Sequence, residues 1–285
     1  MTLAARVLLV GSLLLGGMVA VPAVAQEPAA EVDVVNVDYE PADVTIELGA
    51  SGVVATDHDV AIDDPQGTVV LEDLGTLPMG RDVIGLGLDA NGDRLFALDG
   101  LVELSGSVIA RPGDVVRYDG ASYSIEFDSA AAGIPEAARV DAVSLATSGL
   151  LLSFDTTVNL GEGIAAADED LVVWNGIEFI WVFNGSSHGL DARLDADAAQ
   201  DLGGGSFLMS FDTAGEVAGI AFDDEDVLRF DGLTWSLEVD GSALDAAWPS
   251  ADLDAVIVPE PAGWLGLLAG IAMLRGLSSR QPRGT

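Results

Sequence analysis

The chain has 285 residues and a formal net charge of −36, because 47 aspartates and glutamates outnumber 11 arginines, and it contains neither lysine nor cysteine. A chain without cysteine forms no disulfide and has no thiol nucleophile or cysteine metal site. Its charge repels the phosphates of nucleic acids and anionic lipid headgroups, which excludes nucleic acids as partners.

The beginning of the chain, from Met1 to Ala25, has the features of a secretory signal peptide in their usual order. Arg6 precedes an apolar stretch at residues 7–21, and Ala23 and Ala25 place small residues where signal peptidase recognises a chain. We expect cleavage before Gln26. The sequence therefore predicts an exported protein that loses its signal helix and keeps a body at residues 26–258.

Nearly all of the negative charge lies in this body. Only Glu260 among the 47 acidic residues lies outside it, and seven arginines oppose the remaining 46 carboxylates. Such a surface favours solubility outside the cell or in a salty medium. Weak binding of cations is the alternative, and calcium is the cofactor that it would involve.

One short motif recurs three times in the body. Its copies begin at Asp114, Asp170 and Asp226, so the spacing between them is constant, and each ends in an Asx-Gly pair. Such pairs supply the positive φ angles that tight hairpin turns need. The pairs are Asp119-Gly120, Asn175-Gly176 and Asp231-Gly232. The body is therefore predicted to consist of structural repeats with a period of about 56 residues.

Each repeat shows the signals of short antiparallel strands. After the first Asx-Gly pair, Tyr123, Ile125 and Phe127 alternate with polar residues, which predicts one buried face. An earlier hairpin joins residues 83–88 to residues 95–98. The unit is predicted to be a four-stranded meander, somewhat longer than the blade period of about 40 to 50 residues.

The number of repeats predicts the architecture. They occupy residues 32–81, 82–139, 140–196 and 197–252, and a last strand at residues 253–257 can pair with the first repeat. We expect an all-β fold, a β-propeller-like ring of about four four-stranded repeats that this strand closes. An open stack of β-sheets and a larger ring made by two chains are the alternatives.

The first repeat is degenerate. Residues 59–62 and 69–73 lie about one period before their counterparts in the second repeat. We expect its outer strands at residues 32–37 and 44–48.

A weak calcium candidate lies in a turn of the second repeat. Asp89, Asn91 and Asp93 have the D-x-N-x-D spacing of a calcium loop, but Arg94 and Gly100 stand where such a loop needs glycine and a bidentate glutamate. We expect a turn between two strands and assign no metal site there.

Acidic runs occupy equivalent loops of the last two repeats, at residues 168–170 and 223–226. They could hold calcium between repeats, but the second repeat has Arg111 in this loop. We therefore interpret the runs as solvated acidic loops.

Side chains suited to catalysis are few. Ser186 and Ser187 lie beside His188, but a triad needs a serine, a histidine and a carboxylate that converge, and neighbours in one polar turn usually point apart. The other histidine is His58. Aspartates at equivalent positions, Asp99, Asp155 and Asp212, are typical of packing because catalysis needs differentiated residues. We expect no enzymatic activity.

The aromatic residues that recur at strand positions include Trp174, Trp181 and Trp235. We expect these side chains to lie in the core.

The end of the chain has three features in a fixed order. Pro259-Glu260-Pro261 is followed by an apolar run that begins at Ala262 and ends at Leu274. Arginines follow the run, at Arg275, Arg280 and Arg283. This order fits a membrane helix whose C-terminus stays in the cytoplasm, since arginine is retained on that side.

These residues resemble the PEP-CTERM sorting signal of Gram-negative envelope proteins, over about the last tenth of the chain. The resemblance implies that an exosortase-type transpeptidase recognises Pro259-Glu260-Pro261, cuts near it and passes the body to the cell surface. It also implies a setting among extracellular polysaccharide. A simple C-terminal transmembrane anchor and a hydrophobic helix of a soluble fold are the alternatives.

Together these features predict an exported, surface-sorted protein that spans the membrane once before processing. A structural or adhesive component of the envelope or extracellular matrix is the first functional hypothesis. A ligand-binding propeller that recognises a glycan or a protein is the second. A hydrolase or lyase that uses the recurring aspartates is the third.

Overall fold

The computed structural model describes residues 33–35, 46–48, 53–55, 61–63, 69–161, 163–244 and 255–257. Among these residues there is no helix long and apolar enough to cross a bilayer. Several sequence predictions lie outside the described residues. They are the signal peptide with Ala23, Ala25 and Gln26, His58, the motif Pro259-Glu260-Pro261, the apolar run from Ala262 to Leu274, and Arg275, Arg280 and Arg283.

The described part consists almost entirely of short strands. In the first repeat they are β1 (Asp33–Val35), β2 (Ile46–Leu48), β3 (Val53–Ala55), β4 (Ala61–Asp63) and β5 (Val69–Leu71). In the second they are β6 (Val83–Leu88), β7 (Arg94–Leu98), β8 (Val102–Leu104), β9 (Val108–Ala110), β10 (Val115–Tyr118) and β11 (Tyr123–Phe127). In the third they are β12 (Val140–Ala146), β13 (Gly149–Phe154), β14 (Val158–Gly161), β15 (Ile164–Ala166), β16 (Leu171–Trp174) and β17 (Phe179–Phe183), followed by a 3-10 turn at Ser186–His188. In the fourth they are β18 (Ala198–Gly203), β19 (Ser206–Ser210), β20 (Gly215–Val217), β21 (Ile220–Phe222), β22 (Val227–Phe230) and β23 (Trp235–Val239), followed by the short helix α1 (Gly241–Leu244) and by β24 (Val256–Ile257).

Each of the last three repeats forms one antiparallel four-stranded sheet and one separate hairpin. The sheet orders are β6-β7-β10-β11, β12-β13-β16-β17 and β18-β19-β22-β23, and the hairpins are β8-β9, β14-β15 and β20-β21. The predicted four-stranded meander is therefore incomplete, because each repeat inserts a hairpin between the second and third strands of its sheet. This insertion explains why the period exceeds the usual length of about 40 to 50 residues.

The first sheet is assembled from distant parts of the chain. β24 pairs with β1, with Val34 opposite Val256, and the sheet order is β24-β1-β4-β5. β24 is thus the first strand in the order of its sheet, as β6, β12 and β18 are in the other sheets. The strands predicted at residues 32–37 and 44–48 are present as β1 and β2, but their predicted outer position is wrong, because β1 lies inside the sheet and β2 pairs with β3 in the inserted hairpin.

The first strands of the four sheets lie side by side. β6 contacts β12, β12 contacts β18, β18 contacts β24, and β24 contacts β6. β6 and β12 approach so closely that a Cβ on Gly85 or Gly87 would lie 2.5 Å from a carbonyl oxygen of β12, that of Asp141 or Val143. This succession of antiparallel sheets is propeller-like, and it confirms the all-β repeat fold that the sequence predicts.

Buried side chains fill the spaces between neighbouring sheets. Phe127 and Phe154 belong to a cluster between the second and third repeats, and Phe183 and Phe211 to one between the third and fourth. The alternation predicted for β11 is confirmed, since Tyr123 and Phe127 are buried while Ser124 and Glu126 are exposed. The repeats are therefore held together by packing between sheets.

The Asx-Gly turns combine a glycine of positive φ with a side-chain cap. The φ angle is 86° at Gly120, 91° at Gly176 and 94° at Gly232. In the first turn, one oxygen of Asp119 accepts the N–H groups of the two residues after the glycine at 2.9 and 2.8 Å. Equivalent bonds occur in the other two turns. The predicted hairpins are confirmed, and each turn is fixed by its Asx side chain.

Candidate functional site

The aspartate that opens each motif clamps its own repeat. In the third repeat, one oxygen of Asp170 accepts the N–H of Ala167 at 2.9 Å and the other accepts the N–H of Gly185 at 2.8 Å. Asp114 and Asp226 accept the equivalent pairs of N–H groups. The clamp joins the loop before the third strand of the sheet to the residues after its fourth strand. These buried carboxylates therefore stabilise the repeat.

The interpretation of the acidic runs as solvated loops is wrong for the last two residues of each run. Glu169 and Asp170 are 1% and 2% exposed, and Glu225 and Asp226 are 4% and 7% exposed. The clamp buries the aspartates. The hydroxyl of Ser186 donates a hydrogen bond to Oε1 of Glu169. The runs are therefore parts of the folded repeats.

The recurring aspartates that are candidates for hydrolysis share another structural role. Oδ1 of Asp155 accepts the N–H of Arg139 at 2.8 Å, and the N–H of Asp155 donates to the carbonyl of Arg139 at 3.2 Å. Asp99 makes the same two bonds with Asp82, directly before β6, and Asp212 makes them with Asp195, three residues before β18. Each of these carboxylates closes the first hairpin of a sheet.

The weak calcium candidate is a turn that uses its own carboxylates. Oδ1 of Asp89 accepts the N–H groups of Asn91 and Asp93 at 2.7 and 2.9 Å. The guanidinium of Arg117 forms ion pairs with both Asp89 and Asp93. Backbone N–H groups and an arginine therefore engage both oxygens of Asp89 and one oxygen of Asp93.

The serines and the histidine of the polar turn do not converge. The imidazole of His188 stacks on Phe183, with ring centroids 5.0 Å apart, and tilts against Phe230 at 4.6 Å. Ser186 bonds to Glu169 instead, and the N–H of Ser187 donates to Asn184 at 2.8 Å. The turn is thus packed as a structural element.

The prediction that the three recurring tryptophans lie in the core holds for one and fails for another. Trp235 is buried, and its indole N–H donates to the carbonyl of His188 at 3.0 Å. Trp174 is partly buried and packs against the cluster between the second and third repeats. Trp181 is 40% exposed and lies on the outermost strand of its sheet, beyond which no described strand pairs.

An acid pair that the sequence reasoning missed lies between the third and fourth repeats. The carboxyl groups of Asp141, in β12, and Asp195, just before β18, are hydrogen-bonded to each other. Oδ1 of Asp141 accepts the N–H of Ala142 at 2.9 Å. Oδ2 of Asp141 and Oδ1 of Asp195 are buried and accept no N–H or hydroxyl group. A proton shared between the two carboxyl groups would satisfy these oxygens and leave the pair with one negative charge.

Burial sets the protonation of this pair. It raises the pKa of Asp141 well above its ordinary value, and the charge of Asp195 raises it further. It also raises the pKa of Asp195 to about 7, and the charges of Asp212, Asp168 and Asp155 add to this effect. Arg139 approaches Asp155 at 3.8 Å. The junction is therefore an acidic cluster that retains protons near neutral pH.

The surroundings limit what the pair can do chemically. A carboxylic acid beside a carboxylate can act in general acid–base catalysis, provided that a substrate reaches it. Two surface cavities of about 250 and 310 Å³ are lined by other residues, around Arg111 and Ser129 and around Val182 and Phe207. Within the described residues, no group of three or more acidic or histidine side chains is arranged to hold a metal ion.

The sequence signal for the pair was weak. Asp141 is a charged residue in the apolar strand β12, two residues after Arg139, and in sequence it resembles a solvent-facing position. It is buried because the start of the fourth repeat packs against it.

Comparisons with known proteins yield weak likenesses. No protein-family model matches the chain, and no curated protein matches it. Virginiamycin B lyase from Staphylococcus aureus is 8% identical over 71% of this chain and 73% of the lyase, with a TM-score of 0.30. YCF48 bound to D1 peptide is 11% identical over 79% of this chain and 90% of that one, with a TM-score of 0.31. The extracellular domain of a hybrid two-component system from B. thetaiotaomicron is 8% identical over 72% of this chain and 39% of its own, with a TM-score of 0.30. TM-scores of this size carry no argument about activity, and the architecture rests on the strand pairing.

Proposed function

We propose that the chain is an exported protein of the cell envelope, with a non-enzymatic body that serves as a structural or adhesive module. One observation carries the proposal for the body: the recurring aspartates of the repeats accept backbone N–H groups of their own repeats. Carboxylates held in this way stabilise hairpins and are not differentiated for chemistry.

In this proposal the body is a closed ring of four sheets. The cycle of contacts among the first strands and the pairing of β24 with β1 support closure. A closed ring leaves fewer open sheet edges, which favours a protein that must remain soluble outside the cell. The chain would leave the ring after Ile257, at Val258.

Delivery in this proposal rests on the two ends of the sequence. Signal peptidase removes the residues before Gln26, and an exosortase-type transpeptidase recognises Pro259-Glu260-Pro261. The apolar run that begins at Ala262 holds the chain in the membrane until it is processed. The body is then displayed at the cell surface, among extracellular polysaccharide.

The test of delivery is a variant with both Pro259→Ala and Pro261→Ala, expressed in an organism that has an exosortase. Mass spectrometry of the C-terminus should find the wild-type chain shortened near the motif, and the variant intact and in the membrane fraction. Pro282→Ala is the matched control, because Pro282 lies in the same tail outside the motif. Normal processing of the double variant would contradict the proposal.

A second candidate function is recognition of a glycan or a protein at one end of the ring. The three inserted hairpins β8-β9, β14-β15 and β20-β21 favour it, because each joins the second and third strands of its sheet and so extends from the same end of these strands in each repeat. Glycan-array binding by the full chain that survives Pro259→Ala and Pro261→Ala would support this function. Turnover that is lost in Asp155→Asn would instead support a hydrolase or lyase.

A further inference from the structure

The larger of the two surface cavities, about 310 Å³, lies between the third and fourth repeats. Residues of β12, β16, β17 and the turn after β12 line it from the third repeat, and residues of β18, β19 and the turn between them line it from the fourth. Both turns join the first and second strands of a sheet, so the cavity lies at the opposite end of the second strand from the inserted hairpins. Its volume is at the lower end of the range for small-molecule sites, about 300 to 1,000 Å³.

One wall of the cavity is apolar. Val173 and Phe207 line it and are only 2% and 3% exposed, so they form its floor, whereas Val182 is 36% exposed and lies nearer the surface. A wall of this kind packs against the C–H groups of a ligand and gains from their removal from water.

This apolar wall is a departure from the repeat pattern. Both neighbouring repeats have arginine at the position of Val173 and glutamate at the position of Val182. In the fourth repeat these residues, Arg229 and Glu238, approach each other to 3.9 Å. In the second repeat, the arginine is Arg117, which forms ion pairs. The repeat fold therefore accepts long charged side chains here, and the two valines of the third repeat leave space that such side chains would fill.

Polar groups line the rim of the same cavity. Thr147 and Ser148 are exposed and contribute hydroxyl groups, and Asp201 contributes a carboxylate from the other repeat. Oδ1 of Asp201 accepts the N–H of Gly203 at 2.8 Å, which holds the carboxylate beside its turn. Hydroxyl groups donate and accept hydrogen bonds, and each oxygen of a carboxylate can accept more than one. The rim can therefore bond to several hydroxyl groups of a ligand.

The turn on the side of the fourth repeat leaves the opening clear. It consists of three glycines at residues 203–205, all of which line the cavity. Because these residues have no side chains, nothing projects from this turn over the opening, and its backbone N–H and C=O groups are accessible to a ligand.

The charge of the lining restricts the class of ligand. Among the described residues that line the cavity, Asp201 is charged and none is basic, which opposes an anionic ligand. A purely apolar ligand would cover Asp201 without a hydrogen-bond partner, and this is costly. A neutral sugar ring has an apolar C–H face for the wall and hydroxyl groups for the rim.

We propose that this cavity binds a neutral sugar ring of a glycan. The inference rests on the proposed adhesive role of the body, and it is independent of the sorting tail. It places glycan recognition between two repeats, at the end of the sheets opposite to the inserted hairpins.

Saturation-transfer NMR on the full-length chain tests the ligand class, in a detergent that has no sugar headgroup. The neutral probes are glucose, galactose, mannose and N-acetylglucosamine, and glucuronic acid and glucosamine are the charged counterparts. At least one neutral sugar should bind with a Kd below about 10 mM, and both charged sugars should bind at least ten-fold more weakly. Failure of all four neutral sugars to bind, or tighter binding of a charged one, would overturn the proposal.

A double variant tests the position of the site with residues that the repeats already contain. Val173→Arg with Val182→Glu gives the third repeat the charged pair of its neighbours. Sugar binding should become at least ten-fold weaker, with unchanged circular dichroism. A double variant that folds and binds as tightly as the wild type would contradict a site in this cavity.

A second variant avoids any change to the buried floor. Ser148→Tyr places a large side chain at the rim from an exposed turn, and it should also weaken binding at least ten-fold. Ala121→Tyr is the matched control, because Ala121 lies in an exposed turn of the second repeat and lines neither cavity. Equal binding by the Ser148 and Ala121 variants would overturn the proposal.

The outcome is separable from that of delivery. Processing at the C-terminus is measured by mass spectrometry and does not depend on sugar binding. A chain that is shortened near Pro259-Glu260-Pro261 but binds no neutral sugar would overturn this inference and leave the proposed delivery intact.

Discussion

Asp170 shows how an acidic residue can be buried in a repeat without a basic partner. It is 2% exposed, and its two oxygens accept the backbone N–H groups of Ala167, before β16, and Gly185, after β17. Burial raises the pKa of Asp170, while the bonds from Ala167 and Gly185 lower it. Hydrogen bonds to the charged form oppose the cost of desolvation. The same pair of backbone bonds recurs wherever the motif recurs.

The glycine of the Asx-Gly turn gives a prediction at this scale. Gly176 has a φ of 91°, and a Cβ placed there would meet nothing within 4 Å. Gly176→Val should therefore lower the free energy of unfolding by about 1 to 3 kcal/mol through backbone strain alone. The midpoint of urea denaturation measures the loss. Gly176→Asn is the control, because asparagine tolerates positive φ and should lose less; an equal loss in both would argue against backbone strain.

A second prediction concerns the small residue opposite each buried acid. A Cβ on Gly185 would lie 2.4 Å from Cγ of Glu169. The second repeat has Ser129 at the position of Gly185 and Gly113 at the position of Glu169. Gly185→Ser should therefore destabilise the chain by about 1 to 3 kcal/mol, as overpacked sites do. Adding Glu169→Gly recreates the combination of the second repeat.

The pair of changes at positions 169 and 185 forms a double-mutant cycle, with the free energy of unfolding as its readout. Glu169→Gly should restore at least half of the loss caused by Gly185→Ser, since contacting residues couple. Strictly additive effects of the two substitutions would mean that the contact does not determine the choice of residue.

At the scale of elements, the acid pair couples two strands that belong to different repeats. Asp141 lies in β12 and Asp195 precedes β18, and the two strands contact each other. Burial raises the pKa of both carboxyl groups, so we expect the stability of this junction to depend on pH. Among the ion pairs of the described residues, none joins an arginine to Asp141 or Asp195.

The raised pKa values predict the direction of this pH dependence. Asp195 titrates near 3.8 in the unfolded chain and at about 7 in the folded one, so the folded chain binds more protons between these values. The contribution to stability is complete below about pH 4 and is lost as pH rises through 7. The free energy of unfolding, measured by urea denaturation from pH 4 to pH 8, should therefore fall across this range relative to a variant without the pair.

Asp141→Asn is the matched variant, because its amide can donate to Asp195 at any pH. The variant should show a flatter pH profile and should equal or exceed the stability of the wild type at pH 8. Asp240→Asn is a control at an exposed acid in another part of the fourth repeat. If Asp141→Asn leaves the profile unchanged, the two carboxyl groups do not share a proton.

Strands could be predicted from the sequence where their signals are local. The Asx-Gly pairs and the alternation around Tyr123 predict the hairpin that β10 and β11 form. The inserted hairpins escape prediction because strands such as Val102–Leu104 and Val108–Ala110 are too short to show a period. The acid pair escapes it because Asp141 and Asp195 meet only after two repeats pack.

At the scale of the whole molecule, β24 holds the first sheet to its neighbours. It pairs with β1 and contacts both β6 and β18, and Ala255 and Val256 are each 1% exposed. Parts of the chain that are far apart in sequence thus depend on one another. The proposed closed ring differs from an open stack of sheets in this dependence.

Two truncated chains test ring closure. A chain that ends at residue 258 keeps β24, whereas one that ends at residue 252 loses it and exposes the edge of β1. The shorter chain should lose about 2 to 4 kcal/mol of the free energy of unfolding, from the apolar side chains and backbone hydrogen bonds that β24 contributes. Urea denaturation measures this loss against the chain that ends at residue 258, which removes the tail and preserves the proposed ring. Equal midpoints for the two chains would favour the open stack, because an open stack does not need a strand from its far end.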